Sequence, residues 1–134
     1  MFVDACVMVA IIAGEDTSDA YAEQLDQAIN PVTSALAVWE AVLVLSRPDQ
    51  LNCAFKQTEA YLLDWLHERD IDIVQPASPH QILSYAVSAA QDIGVSKKSL
   101  SALDCFHYAY AKALGEPLLT LDQALRKTDL VCLP

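Results

Sequence analysis

Short apolar, β-compatible runs alternate with longer segments of helical periodicity along this whole chain, and that alternation leaves few folds open. The runs fall at 1–3, 31–33, 70–74 and 118–121, with 130–133 a candidate fifth. Between them the spacing predicts helices at 5–13, stopped by Gly14, and at 18–29, with Tyr21, Leu25 and Ile29 on one face. A third, capped by Ser34, ends near Arg47 and Pro48, and a fourth spans 51–69 with Phe55, Leu62, Leu63 and Leu66 inward. Pro79 or His80 opens a fifth, with Ile82, Leu83, Ala86, Val87 and Ala90 at helical spacing up to Gly94, and the sixth runs over 101–114 to Gly115. Residues 95–100 are polar and basic and read as a loop. Strands joined through helices specify an α/β fold with a mainly parallel sheet of four or five short strands, covered on both faces. With 134 residues and no linker or repeat, the chain is expected to form one domain, 1–134.

Four acids interrupt this apolar pattern. Asp4 closes the first run, Glu40 is the only polar side chain in 35–45, and Asp122 ends the run at 118–121. Asp104 falls in the first turn of the sixth helix. Burying an ionised carboxylate without a partner costs several kcal/mol, so it takes a proton, a cation or a metal ion. The first 46 residues hold no Lys or Arg that could supply the cation. In a parallel sheet the loops after the strands gather at one edge, which brings Asp4 and Asp122 together, with Glu40 and Asp104 on helices that reach the same edge. Two unit charges ~4 Å apart repel by roughly 4 kcal/mol at an effective dielectric near 20, so either protons or divalent ions must neutralise such a cluster. Mg²⁺ and Mn²⁺ prefer hard oxygen ligands and share them with phosphate oxygens, which points to phosphodiester chemistry.

Eighteen Asp and Glu against eight Lys and Arg give a formal charge of −10, so no general basic field holds nucleic acid and any such contact is local. Most of the excess (Glu15, Asp16, Asp19, Glu23, Asp26) reads as a solvated helix face. The 54% hydrophobic content favours association, with a homodimer or a bound protein covering apolar surface. Cys6, Cys53, Cys105 and Cys132 lack metal-site spacing and read as buried free thiols. With no signal peptide and no membrane-length apolar run, they imply the cytoplasm.

The stretches MFVDACVMVAII, VTSALAVWEAVLVL, ALDCFHYAYAKALG and PLLTLDQAL, in this order over nearly the whole chain, resemble the PIN-domain ribonucleases, most closely the VapC-like toxins of toxin–antitoxin pairs. The most specific element is D-C-x-x-Y-A-x-A-K at Asp104 to Lys112. The resemblance implies a three-layer α/β/α sandwich and a Mg²⁺- or Mn²⁺-dependent endoribonuclease that cuts structured RNA such as tRNA or rRNA. It also implies inhibition by a cognate antitoxin, for which a basic segment suits the acidic surface. Carried over by position, Asp4, Glu40, Asp104 and Asp122 match the family's metal-binding acids. Asp4, Asp104 and Asp122 are expected on the metal, and Glu40 on it through water or placing the attacking hydroxide. Thr120 matches a hydroxyl that orients a carboxylate. Ala5 stands where the family usually has Thr or Ser, Cys6 where a small hydroxyl or Ala is common, and Leu103 where Gly is frequent.

Lys97 and Lys98 are the candidates for RNA phosphate contacts, with Arg126 and Lys127 weaker ones. His67, His80 and His107 show no catalytic or metal-ligand spacing and are expected to be structural, as are Trp39 and Trp65 in the core or an interface. Asp122 has a second reading as the cap of a short helix at 123–127, and Asp129 is expected to end a helix. Phosphotransfer through an aspartyl nucleophile expects a second acid two residues after the first, where Cys6 stands, and a nucleotide-binding fold lacks its glycine-rich turn. The remaining rival is a degenerate PIN-like module that binds a protein without cleaving RNA, motivated by Ala5 and Cys6.

Overall fold

A computed structural model describes residues 1–96 and 98–133. The strands are β1 (Phe2–Val3), β2 (Val32–Thr33), β3 (Asp72–Ile73), β4 (Leu118–Leu119) and β5 (Cys132–Leu133). The helices are α1 (Ala5–Ala13), α2 (Ser18–Asp26), α3 (Ala35–Leu45), α4 (Phe55–Glu68), α5 (Pro79–Asp92) and α6 (Ala102–Leu114). The strands form one sheet in the order β3-β2-β1-β4-β5, and every pair is parallel, as the strand–helix alternation requires. Phe2 pairs with Val32 on one side and Leu118 on the other. Phe2, Val3, Leu118 and Leu119 are fully buried, which is why the central strands read as unbroken apolar runs.

Chain order runs outward from β1 to β3, then resumes on the other side with β4. The strand order therefore reverses between β1 and β4, where open α/β sheets form their sites at the carboxyl edge. Asp4 follows β1 and Thr120 follows β4 directly. Hydrogen bonds tie this edge together: backbone Asp4 N donates to Leu119 O at 3.1 Å, and the Thr33 side-chain Oγ1 donates to Val3 O at 2.8 Å.

Helix ends follow local chemistry. Gly14 and Gly115 close α1 and α6 in the left-handed region, φ 68° and 70°, where a Cβ would be strained. Ser34 Oγ accepts from Ala37 N at 3.1 Å to start α3. Two expected boundaries move. α2 stops at Asp26, because Asn30 adopts φ 51° to feed β2, and Ile29 is left 86% exposed. α4 begins at Phe55 instead of 51, after Asn52 turns the chain at φ 52°.

Several apolar residues expected inward face out. α4 buries Thr58, Leu62, Trp65 and Leu66; Leu63 lies about 100° around the helix from Leu62, and Phe55 sits in the first turn, so both are exposed. The same rotation on α5 exposes Leu83 and Val87 beside the buried Ile82, Ala86 and Ala89. Trp39 is also exposed, and with Phe55, Leu63, Ile73 and Val42 it lines an apolar groove of about 350 Å³ between α3 and α4. All four cysteines are free, but Cys53 is exposed and Cys6 and Cys132 are half-buried, since only Cys105 falls on a fully packed helix face. Among the described residues no helix is long and apolar enough to cross a membrane.

Candidate active site

Asp4 is the anchor. Its carboxylate is buried directly after β1 and caps α1, with Oδ1 accepting from Ala5 N at 2.7 Å. Oδ2 accepts from Thr120 Oγ1 at 2.6 Å and from the Cys6 thiol at 3.0 Å. Donors to an ionised acceptor are short and strong, so three of them fix this side chain without any Lys or Arg. Cys6 Sγ also accepts from Leu121 N at 3.3 Å, and burial, followed by the Asp4 charge, pushes the thiol's pKa far upward. It stays protonated and acts as a donor.

Thr120 carries the network to the next acid. Its Oγ1, while donating to Asp4, accepts from Asp122 N at 3.0 Å. Asp122 Oδ1 accepts from Ala124 N at 2.6 Å and Leu125 N at 2.9 Å. That is the capping geometry of its second reading, although what it caps is the single 3₁₀ turn Leu125–Lys127, shorter than the helix expected at 123–127. Asp122 bonds to none of the other three acids. Asp104 is engaged locally too: its Oδ2 accepts from Ser101 N at 2.5 Å while Ser101 Oγ accepts from Asp104 N at 3.0 Å, a reciprocal capping box at the start of α6.

Glu40 meets a partner that its sequence neighbourhood does not offer. Glu40 Oε2 lies 2.6 Å from His107 Nε2, and the same nitrogen is 3.8 Å from Asp4 Oδ1. His107 is fully buried on α6, one turn after Asp104, with its ring tilted against that of Phe2. Burial is the largest single influence on its pKa and lowers it. The hydrogen bond to Glu40 and the negative field of Asp4, Glu40 and Asp104 outweigh burial and leave the pKa raised. His107 is therefore part of this cluster, contrary to the expectation of a merely structural residue. Spacing could not find it, because its partner stands 67 positions away.

A cleft of about 220 Å³ opens beside the cluster, lined by Ala5, Cys6, Val9, Glu15, Glu40, Val44 and Leu121. Glu15, grouped in sequence with a solvated face, belongs to the cleft because Gly14 turns the chain back at the end of α1. None of the Lys or Arg ion pairs among the described residues involves Asp4, Glu40, Asp104 or Asp122. Hard oxygens without a fixed Lys or Arg suit Mg²⁺ or Mn²⁺ in donor chemistry. Among the described residues, however, no three His, Cys, Asp or Glu side chains already stand in an arrangement that holds a metal ion.

The basic candidates divide. Lys98 is exposed in the loop before α6, and Lys97 lies outside the described residues. Arg126 is structural. Its Nη2 donates to Thr120 O at 2.6 Å, Leu133 O at 3.0 Å and the Tyr21 hydroxyl at 3.1 Å, clamping the end of β4 to β5 and α2. Asp129 ends no helix. It accepts from the Tyr108 hydroxyl at 2.8 Å and from Lys112 Nζ at 2.7 Å.

The PIN-domain family profile matches residues 1–130, nearly the whole of this parallel α/β chain; the chain belongs to that family. Within it, the chain is 27% identical to the protein named Ribonuclease VapC of Mycolicibacterium smegmatis, covering 96% of each. It is 26% identical over the full length of both to Ribonuclease VapC30 of Mycobacterium tuberculosis. A solved structure of VapBC-1 from nontypeable Haemophilus influenzae superposes with a TM-score of 0.70 at 18% identity, over 98% of this chain and 95% of that one.

Proposed function

We propose that this chain is a Mg²⁺- or Mn²⁺-dependent endoribonuclease, a hydrolase of phosphodiester bonds that acts as the toxin of a toxin–antitoxin pair on structured RNA such as tRNA or rRNA. The observation that carries it is the buried Asp4 facing Glu40 across one imidazole at the carboxyl edge, with no Lys or Arg ion-paired to either acid among the described residues. Kinship over the full length with proteins named as ribonucleases supports the same reading.

Asp4, Asp104 and Asp122 would hold the metal, with Glu40 reaching it through water or orienting the attacking hydroxide. Each carboxylate has an oxygen engaged by protein donors, which fixes its direction, and Glu40 Oε1, Asp104 Oδ1 and Asp122 Oδ2 have no hydrogen-bond partner among the described residues. A bound divalent ion supplies a water of lowered pKa and charge stabilisation at the phosphate. Thr120 and the Cys6 thiol hold Asp4 oriented for that role. Lys97 and Lys98 would contact RNA phosphates beside the acidic mouth, since a net charge of −10 offers no general attraction.

Regulation follows from the same charge. An antitoxin with a basic segment complements the cleft, and the apolar groove at Trp39 and Phe55, on the helix that carries Glu40 and its neighbour α4, gives it an adjoining surface. The exposed Leu83 and Val87 on α5 suit a homodimer. Four free cysteines match action in a reducing compartment, the cytoplasm.

The experiment is incubation of the partner-free chain with total RNA and Mg²⁺ or Mn²⁺. Discrete cleavage that EDTA and Glu40→Gln both abolish supports the enzyme. The open arrangement of the acids favours one second reading, a PIN-like module that binds a protein without cleaving RNA. No cleavage with either metal, together with nanomolar partner binding, would establish that module instead.

A further inference from the structure

Glu40 stands at a boundary, with a buried imidazole behind it and the open cleft in front. We propose that His107 is a positioning residue that holds the Glu40 carboxylate beside Asp4 and so presets the acidic cluster for its cation. The proposal rests on the metal-dependent reading above.

Three donors and burial fix Asp4, whereas the Glu40 side chain is 26% exposed and has a longer stem with more rotatable bonds. Left alone, two like charges facing one imidazole separate, and the more exposed one swings towards water. The bond from His107 Nε2 opposes that movement. It is the only side-chain hydrogen bond that Glu40 makes among the described residues, and it leaves Oε1 free of protein partners.

Among the described residues the imidazole makes no other hydrogen bond, its contact with Asp4 Oδ1 being 3.8 Å. Its Nδ1 is buried and unbonded, so the hydrogen-bonding capacity that the ring uses goes to Glu40. Buried polar groups are usually satisfied, and an orphaned nitrogen is tolerated where the other end of the ring serves a purpose. The donor is the same in the neutral ring with its proton on Nε2 and in the imidazolium, so the role does not depend on pH. His107 also lies one turn after Asp104, so a single residue of α6 braces the acid of α3 against the helix that carries a third acid.

The test compares His107→Gln, whose amide nitrogen reaches the Nε2 position, with His107→Leu, which keeps bulk but has no donor. Mn²⁺ affinity of the full metal-free chain is read from the loss of the free Mn²⁺ electron-resonance signal, with the melting temperature recorded beside it. Leu is expected to weaken binding by about tenfold or more, and Gln to stay within about threefold of the parent. A Leu variant that binds like the parent overturns the proposal, as does a Gln variant no better than Leu, since a purely structural role would lower melting temperatures without this split. If the parent binds no Mn²⁺, or the Leu variant does not fold, nitrogen-15 NMR of the metal-free chain decides. The His107 Nε2–H proton should be protected from exchange in the parent and lose that protection in Glu40→Ala; an unchanged resonance overturns the brace, independently of the metal reading.

Discussion

Helix α6 carries two polar clusters that differ in one respect. On one side, Tyr108, Lys112 and Asp129 form a closed set: Lys112 donates to Tyr108 at 2.6 Å and to Asp129 at 2.7 Å, and its ammonium lies over the rings of Tyr85 and Tyr108. Cation and anion match, and no charge is left over. On the other side, His107 joins Asp4 and Glu40, with Asp104 one turn away, and the negative charge exceeds what one imidazole can offset. A balanced cluster is a tie between elements. An unbalanced one, held in place by hydrogen bonds instead of counter-ions, is prepared for something that arrives from outside.

The contrast breaks most directly at Glu40. Glu40→Gln keeps the shape and can still accept from His107, but it removes a charge, and it should lower RNA cleavage by about a hundredfold or more in a gel assay with the fold intact by circular dichroism. Comparable turnover in that variant would make the acidic cluster as structural as the lysine one. Thr120→Val is the next largest change. It deletes a donor to a buried carboxylate and the acceptor for Asp122 N, so urea unfolding should show a loss of about 1–3 kcal/mol.

Cys6 sharpens the point at smaller scale. Cys6→Ser preserves a donor to Asp4 and should leave cleavage within about threefold, whereas Cys6→Ala should cost stability of about 1 kcal/mol. Equal behaviour of the two would remove the thiol from the network. The smallest effect belongs to the balanced cluster: Lys112→Met should cost at most about 1 kcal/mol, because Asp129 is 65% exposed, and should leave cleavage unchanged.

The pH dependence of that last variant has a definite sign. The hydrogen bond from Lys112, then that from Tyr108, holds the Asp129 carboxyl below its usual pKa; its contribution is present above the unfolded value of about 3.9 and fades as pH falls through the folded one. Lys112 is shifted upward, chiefly by its hydrogen bond to Asp129, so its share is complete below about pH 10.4 and is lost as pH rises through the folded value. The difference in melting temperature between parent and Lys112→Met should hence be flat from about pH 5 to 9 and shrink in acid.

The sequence by itself determined whatever acts over a few residues or repeats along the chain. Strand–helix alternation specified the parallel sheet, Ser34, Ser101, Gly14 and Gly115 marked helix ends through caps three or four residues long, and Asp4 was legible because an acid directly after a buried strand has nowhere ordinary to go. Tertiary structure alone decided which helix faces found neighbours, and so left Phe55, Leu63, Leu83 and Val87 outside although their spacing matches that of buried residues. It also supplied the partners of the acids. His107 reaches Glu40 across 67 positions, a separation at which local pattern carries no signal, and Thr120, legible only as a hydroxyl that orients some carboxylate, reaches Asp4 across 116. The physical reason is range: propensity and capping are settled within one turn, whereas a buried charge is satisfied by whichever donor the fold brings to it.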